Sequence, residues 1–253
     1  MPILIVFLLT FIEWRDIWIS ISILVIIILP IATFILVKDV KLDTREENNE
    51  EENNKEIKQW KRIEVLKDYR FYIICLTMLA MPWIATGSFV YQSFISSSKE
   101  WGPYVIAQSF MVYSILSVIT LFISGFLIDK FSSRKLLIYM NVPLFFATLV
   151  LYYFNAPLSS FVFFGLLGIT NGLANVLGSS TWAEIYGVKF IGSIKALTTA
   201  LMVFATAFGT ALFGFLIDFG FTIEHIAIVS GSYILSSIIL LYLVKNKLNP
   251  NYL

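Results

Sequence analysis

One cysteine, one histidine and little charge set the first limits on this sequence. Charged residues make up 14% of its 253 positions. A lone Cys75 excludes an intrachain disulfide, and one Cys with one His cannot supply a four-ligand metal site. The charges nearly cancel to a net +1 and form no basic patch able to displace counterions from a phosphate backbone, so no nucleic-acid partner is expected. The apolar stretches also lack the paired aspartates, Ser–His pair or metal ligands that intramembrane hydrolysis needs. A membrane-embedded enzyme is therefore a remote alternative, and no cofactor is expected. A soluble domain of this length would carry far more charge on its surface. What the sequence does have is hydrophobicity: 58% apolar residues and a mean hydropathy of +0.82.

Seven nearly uncharged runs are long enough to cross a hydrocarbon core about 30 Å thick as helices. They cover residues 17–37, 71–96, 104–128, 136–154, 158–183, 196–217 and 226–244. Continuous hydrophobicity favours helices over barrel strands, which would alternate. The opening run, residues 2–12, is too short to cross and is broken by Glu13, Arg15 and Asp16; it has no signal-peptide pattern. A start in mid-helix leads to the expectation that the N-terminal part of a larger protein is missing. With seven spans the loops alternate, and one set holds 16 of the 18 basic residues, which predicts that residues 39–68 and the C-terminus are cytoplasmic. Trp14, Trp18 and Trp101 then fall at the outer boundaries, where an amphipathic ring is well placed, and His225 reads as an interfacial residue.

Residues 39–68 are the one long polar stretch. The acidic, Asn-rich run 43–54 has nothing with which to build a core and reads as a linker. After it, Ile57, Trp60, Ile63 and Leu66 recur every third residue, which fits either a short helix on the membrane surface or a plain solvated connector. The segment Gly125-Phe-Leu-Ile-Asp129 recurs as Gly214-Phe-Leu-Ile-Asp218, each closing a span. Three spans separate the two, so the repeat is inverted across the membrane, the pattern of secondary transporters that rock about a central site.

The stretch Gly125-Phe-Leu-Ile-Asp-Lys-Phe-Ser-Ser-Arg-Lys135 resembles the cytoplasmic loop motif of the major facilitator superfamily. Glu13-Trp-Arg-Asp-Ile-Trp18 is similar to the turn that often precedes helix 6 of that family, with Glu13 in place of a glycine. The resemblance implies an all-α polytopic fold: residues 1–38 as the end of helix 5 and helix 6 of a missing N-terminal half, 39–68 as the linker, and 69–253 as the C-terminal six-helix, three-plus-three half. Residues 182–195 further resemble the helix 10–11 loop of bacterial permeases related to the monocarboxylate and oxalate/formate transporters. That nearer likeness implies a bacterial inner-membrane location and a small solute, with an organic anion as one class. The charged pair of proton-coupled monocarboxylate transporters has no counterpart in residues 104–128.

The same resemblance implies a cytoplasmic gate built from Gly125, Asp129, Lys130, Arg134, Lys135, Glu184 and Lys195. Gly125 would let its helix approach a neighbour closely. Asp129, disfavoured at a helix C-terminus, would need a partner such as Arg134. Solvated loop charges are the plain alternative. The superfamily lines its cavity with helices 7, 8, 10 and 11 of this half, which yields a pathway set of Trp83, Tyr91, Gln92, Gln108, Tyr113, Asn171, Asn175, Trp182, Thr198, Met202 and Thr206, with Thr86 and a kinking Pro82 beside them. Asn171, Asn175 and Trp182 share one helical face, as do Thr198, Met202 and Thr206. Gly168 and Gly172 form a small-xxx-small packing pair. No Asp, Glu, Lys, Arg or His lies deep in any span, so any proton site is expected in the missing half or not at all. The partners implied are the lipid bilayer, a small solute, and either the missing half or a second copy. A truncated chain that transports nothing is the main alternative.

Overall fold

The computed structural model describes residues 8, 11–37 and 58–249, and no strand occurs among them. The acidic run 43–54, Ile57 and most of the opening run lie outside the described residues. The chain divides into two units, residues 1–55 and 56–253.

The first unit holds one long helix, α1 (Trp14–Val37), with exposed Ile, Leu and Val from Ile19 to Ile35. Such a surface is what a spanning helix presents to hydrocarbon. Its hydroxyls are satisfied internally, Ser20, Ser22 and Thr33 each donating to the carbonyl four residues earlier.

The second unit runs α2 (Arg62–Lys67), α3 (Tyr69–Val90), α4 (Gln92–Ser98), α5 (Pro103–Phe131) and α6 (Ser133–Leu136). A 3-10 turn (Leu137–Tyr139) leads to α7 (Val142–Tyr153), α8 (Pro157–Tyr186), α9 (Ile191–Asp218) and α10 (Ile223–Val244), then a second turn (Lys245–Lys247). Counting α1, seven helical stretches are long and apolar enough to span, and each overlaps one of the seven runs in the sequence. The protein is an all-helical, multi-pass integral membrane protein. Proline opens α5 and α8, where its missing N–H costs nothing. α3 continues past Pro82 to Val90, and after a one-residue break at Tyr91 the chain is helical again as α4, past the expected residue 96. At that break Tyr91 leaves helical geometry with its ring stacked on Phe213 of α9, so a tertiary anchor outweighs the local helical pattern.

α5 packs along α8 and α3 along α9, while α10 lies against both α7 and α3, and α7 against α8. Exchanging α3, α5 and α7 for α8, α9 and α10 carries the first pairing into the second and the α7–α8 pairing into α10–α3. The helix contacts thus follow a three-plus-three repeat, and the two Gly-Phe-Leu-Ile-Asp segments end the equivalent helices α5 and α9. Glycines set the closest approaches. A Cβ at Gly172 would lie 2.6 Å from the Ser117 carbonyl oxygen of α5, and one at Gly168 would collide with that of Tyr113. Gly209 repeats the device on the equivalent pair, with α9 seated on the Trp83 carbonyl of α3.

Candidate functional site

Four helices meet at a cavity of about 240 Å³ in the middle of the bundle. Pro82 and Thr86 come from α3, Tyr113 from α5, Asn171 and Asn175 from α8 one turn apart, and Met202 from α9. Asn171 donates to Ser117 Oγ at 2.8 Å, and Asn175 to the Asn171 carbonyl at 2.9 Å. The side-chain carbonyls of both and the hydroxyls of Thr86 and Tyr113 make no hydrogen bond among the described residues. Asn175 and Met202 are exposed, so the cavity opens on the side bounded by these two. Neutral hydrogen-bonding groups held at membrane depth in a shared recess can orient a small polar solute.

The other members of the pathway set lie apart from this recess. Trp83 is 3% exposed, packed among Phe208, Phe213 and Tyr233, and its buried indole N–H has no partner among the described residues. Trp182 is 1% exposed and stacks on Tyr186. Periodicity placed Trp182 on the Asn171–Asn175 face, but that face runs on into the core at the helix end. Tyr91 reaches toward Gly214, half-buried Gln92 begins α4, and Gln108 is exposed. Thr198 and Thr206 return their hydroxyls to carbonyls of their own helix, which satisfies them locally.

A second polar cluster joins the ends of α5, α6 and α8. The Glu184 carboxylate accepts from the Ser132 hydroxyl at 2.6 Å, from the Ser133 N–H at 2.9 Å and from the Ser133 hydroxyl at 2.5 Å. It also pairs with the Arg134 guanidinium at 2.8 Å. Arg134 continues to Asn249 Oδ1 at 2.8 Å. Ser132 sits at φ +73°, a strained geometry for a residue with a side chain, and its hydroxyl bond to Glu184 ties that turn down. Asp129, Lys130, Lys135 and Lys195 stand outside this cluster, all exposed, and Asp129 has no hydrogen bond or ion pair among the described residues. A Cβ at Gly125 would meet nothing within 4 Å, so the close approach expected there is absent among the described residues and occurs at Gly168, Gly172 and Gly209 instead.

Some anchors escaped the sequence reading. Asp68 pairs with Arg70 at 2.8 Å and accepts from the Tyr186 hydroxyl at 3.1 Å; Arg70 donates to the carbonyls of Lys247 and Asn249. Trp60 lies edge-on to Tyr186, and Val65 is the fully buried residue of α2, whereas Ile63 and Leu66 of the expected stripe are exposed. At the opposite end Lys99 is 1% exposed, bonded to Asn155 and Glu224. Trp101 is folded inward against Asn155 rather than set at a lipid boundary, and His225 caps α10 through Thr222. No group of three or more His, Cys, Asp or Glu able to hold a metal occurs among the described residues. A family model described as Major Facilitator Superfamily matches residues 1–164 of the chain, and no curated protein matches it.

Proposed function

Because the chain belongs to the major facilitator superfamily, a family of membrane transporters rather than enzymes, we propose that residues 69–253 form one wall of an alternating-access pathway for a small solute. The observation that carries this reading is the mid-bundle recess, where α3, α5, α8 and α9 bring unpaired polar groups to one open cavity. On this reading residues 39–68 are the cytoplasmic linker, residues 17–37 the last helix of the other half, and that half or a second copy supplies the facing wall. The likeness of residues 182–195 to oxalate/formate-type permeases of bacterial inner membranes favours an organic anion. No cation lines this recess among the described residues, so such a solute would draw its countercharge from the facing wall.

Cysteine accessibility tests the reading without knowledge of the solute. In a Cys75→Ser background, Asn175→Cys in proteoliposomes should react with a membrane-impermeant maleimide, whereas Ile239→Cys, exposed on α10 and lining no described cavity, should not. Equal inertness at both positions would remove the aqueous pathway.

The Glu184 cluster supports a refined version of the gate, with Arg134–Glu184 as its fixed element and Asp129 as a group available to the other half. Glu184→Gln should lower stability by about 2 kcal/mol, because it leaves Arg134 without its countercharge while keeping the shape of the Glu184 side chain. Asp129→Asn should change stability by less than about 0.5 kcal/mol, since the carboxylate is exposed and unpaired among the described residues. Thermal unfolding of the two purified variants distinguishes these outcomes.

A further inference from the structure

The seam between α7 and α10 takes no part in the recess or the Glu184 cluster core, yet it carries two cavities. At the end where the basic residues gather, a cavity of about 540 Å³ is lined by Arg134, Lys135, Tyr139, Tyr242 and Lys245, with the amides of Asn246 and Asn249. No carboxylate lines it among the described residues. Arg134 is already engaged by Glu184 and Asn249, but Lys135 and Lys245 have no acidic partner among the described residues. The Lys245 amine instead sits over the Tyr242 ring, 3.6 Å from its centroid.

Farther along the same seam is an apolar groove of about 280 Å³ between Phe145, Thr148 and Tyr152 of α7 and Ile228, Gly231 and Leu235 of α10. The two cavities share one stripe of α10. Ile228, Leu235 and Tyr242 are spaced by seven residues, close to two full turns, and Lys245 is the first residue past the helix. Phe145 and Tyr152 of α7 repeat that spacing on the opposite side. From Leu235 to Tyr242 the helix rises only about 10 Å, within the reach of an acyl chain. Gly231 keeps the groove open, since a Cβ there would already lie 3.0 Å from Thr148 Oγ1.

We propose that this seam binds an anionic phospholipid, its phosphate held by Lys135 and Lys245 and one acyl chain lying in the α7–α10 groove. Charge selects the headgroup: uncompensated ammonium groups and amide donors at a membrane boundary recognise a phosphate bearing net negative charge. Exposed Tyr139 and Tyr242 rings mark the depth at which headgroup gives way to chain. The bound lipid would clamp α10 to the α6–α7 corner, far from the recess.

The test is thermal unfolding of the purified full chain in detergent, with phosphatidylglycerol, phosphatidylcholine or glycerol phosphate added separately. Phosphatidylglycerol at a hundredfold excess over its Kd should raise the midpoint by roughly 5 °C, and the other two should leave it in place. The shift should vanish in a K135Q/K245Q variant, which removes both ammonium groups and breaks no ion pair among the described residues. Gly231→Leu should abolish the response to long-chain phosphatidylglycerol while native mass spectrometry still detects a short-chain analogue. An equal shift with phosphatidylcholine, a shift with glycerol phosphate alone, or a shift that persists in K135Q/K245Q would each overturn the proposal.

Discussion

Gly209→Ala should destabilise the protein by about 2–4 kcal/mol, a large effect for a single methyl group. In hydrocarbon, helices gain nothing by hiding apolar surface from one another, so association rests on close packing and the hydrogen bonds that proximity permits. At Gly209 the added Cβ meets the carbonyl oxygen of Trp83, a backbone atom that cannot turn aside, so α9 must back away from α3 along their whole contact. Gly87 makes a graded control. Its Cβ would lie 2.6 Å from the Phe213 ring, a side chain with some freedom to rotate, so Gly87→Ala should cost less than Gly209→Ala. Gly125→Ala, with nothing within 4 Å, should be neutral or slightly stabilising, since alanine is the better helix former. Thermal midpoints in one detergent rank the three. A Gly209→Ala midpoint equal to that of Gly125→Ala would mean that α3 and α9 are not packed as described.

The seven spans were legible because unbroken hydrophobicity over about twenty residues is rare outside a spanning helix, and the structure differs from the sequence reading mainly at element ends. Tyr91 shows why. Nothing local in residues 91–96 breaks a helix; the single break, at Tyr91, falls where its ring stacks on Phe213, more than a hundred positions away. The inverted repeat was legible for a different reason. A five-residue echo would mean little alone, but its two copies fall on helices that occupy equivalent places in the packing.

Site residues divided along another line. Helical phase grouped Asn171 with Asn175, which line one recess, yet the same phase included Trp182, because periodicity fixes a face without saying what lies opposite it. Gly125 carried an expectation of close contact that nothing among the described residues meets, while Gly209 passed unremarked, since a glycine's partner is a matter of tertiary structure. Arg134 and Glu184 lie 50 residues apart, and only the folded chain shows that Ser132 and Ser133 complete the ring of donors around that carboxylate.

Lys99 is the sharpest case, since loop position and charge mark it as a solvated residue and it is buried. Its ammonium lies 2.8 Å from Glu224 Oε1 and 2.8 Å from Asn155 Oδ1, tying the α4–α5 turn to the α7–α8 loop and the first turn of α10. The Lys99 side chain is 0% exposed and that of Glu224 is 39% exposed, and this asymmetry makes a prediction. Lys99→Met leaves Glu224 free to turn into water at a helix N-terminus that favours an anion, and should cost about 1 kcal/mol. Glu224→Ala leaves a buried ammonium with one neutral acceptor, so Lys99 must drag the turn open to reach water, at about 3 kcal/mol. The turn it would drag includes Glu100, already held at φ +57° between Lys99 and the inward-folded Trp101. Adding Lys99→Met to Glu224→Ala removes the stranded charge, so the double variant should be more stable than Glu224→Ala alone. Unfolding midpoints of the two single variants and the double variant measure the coupling directly. Equal single costs that simply add in the double would show that Lys99 and Glu224 do not depend on each other.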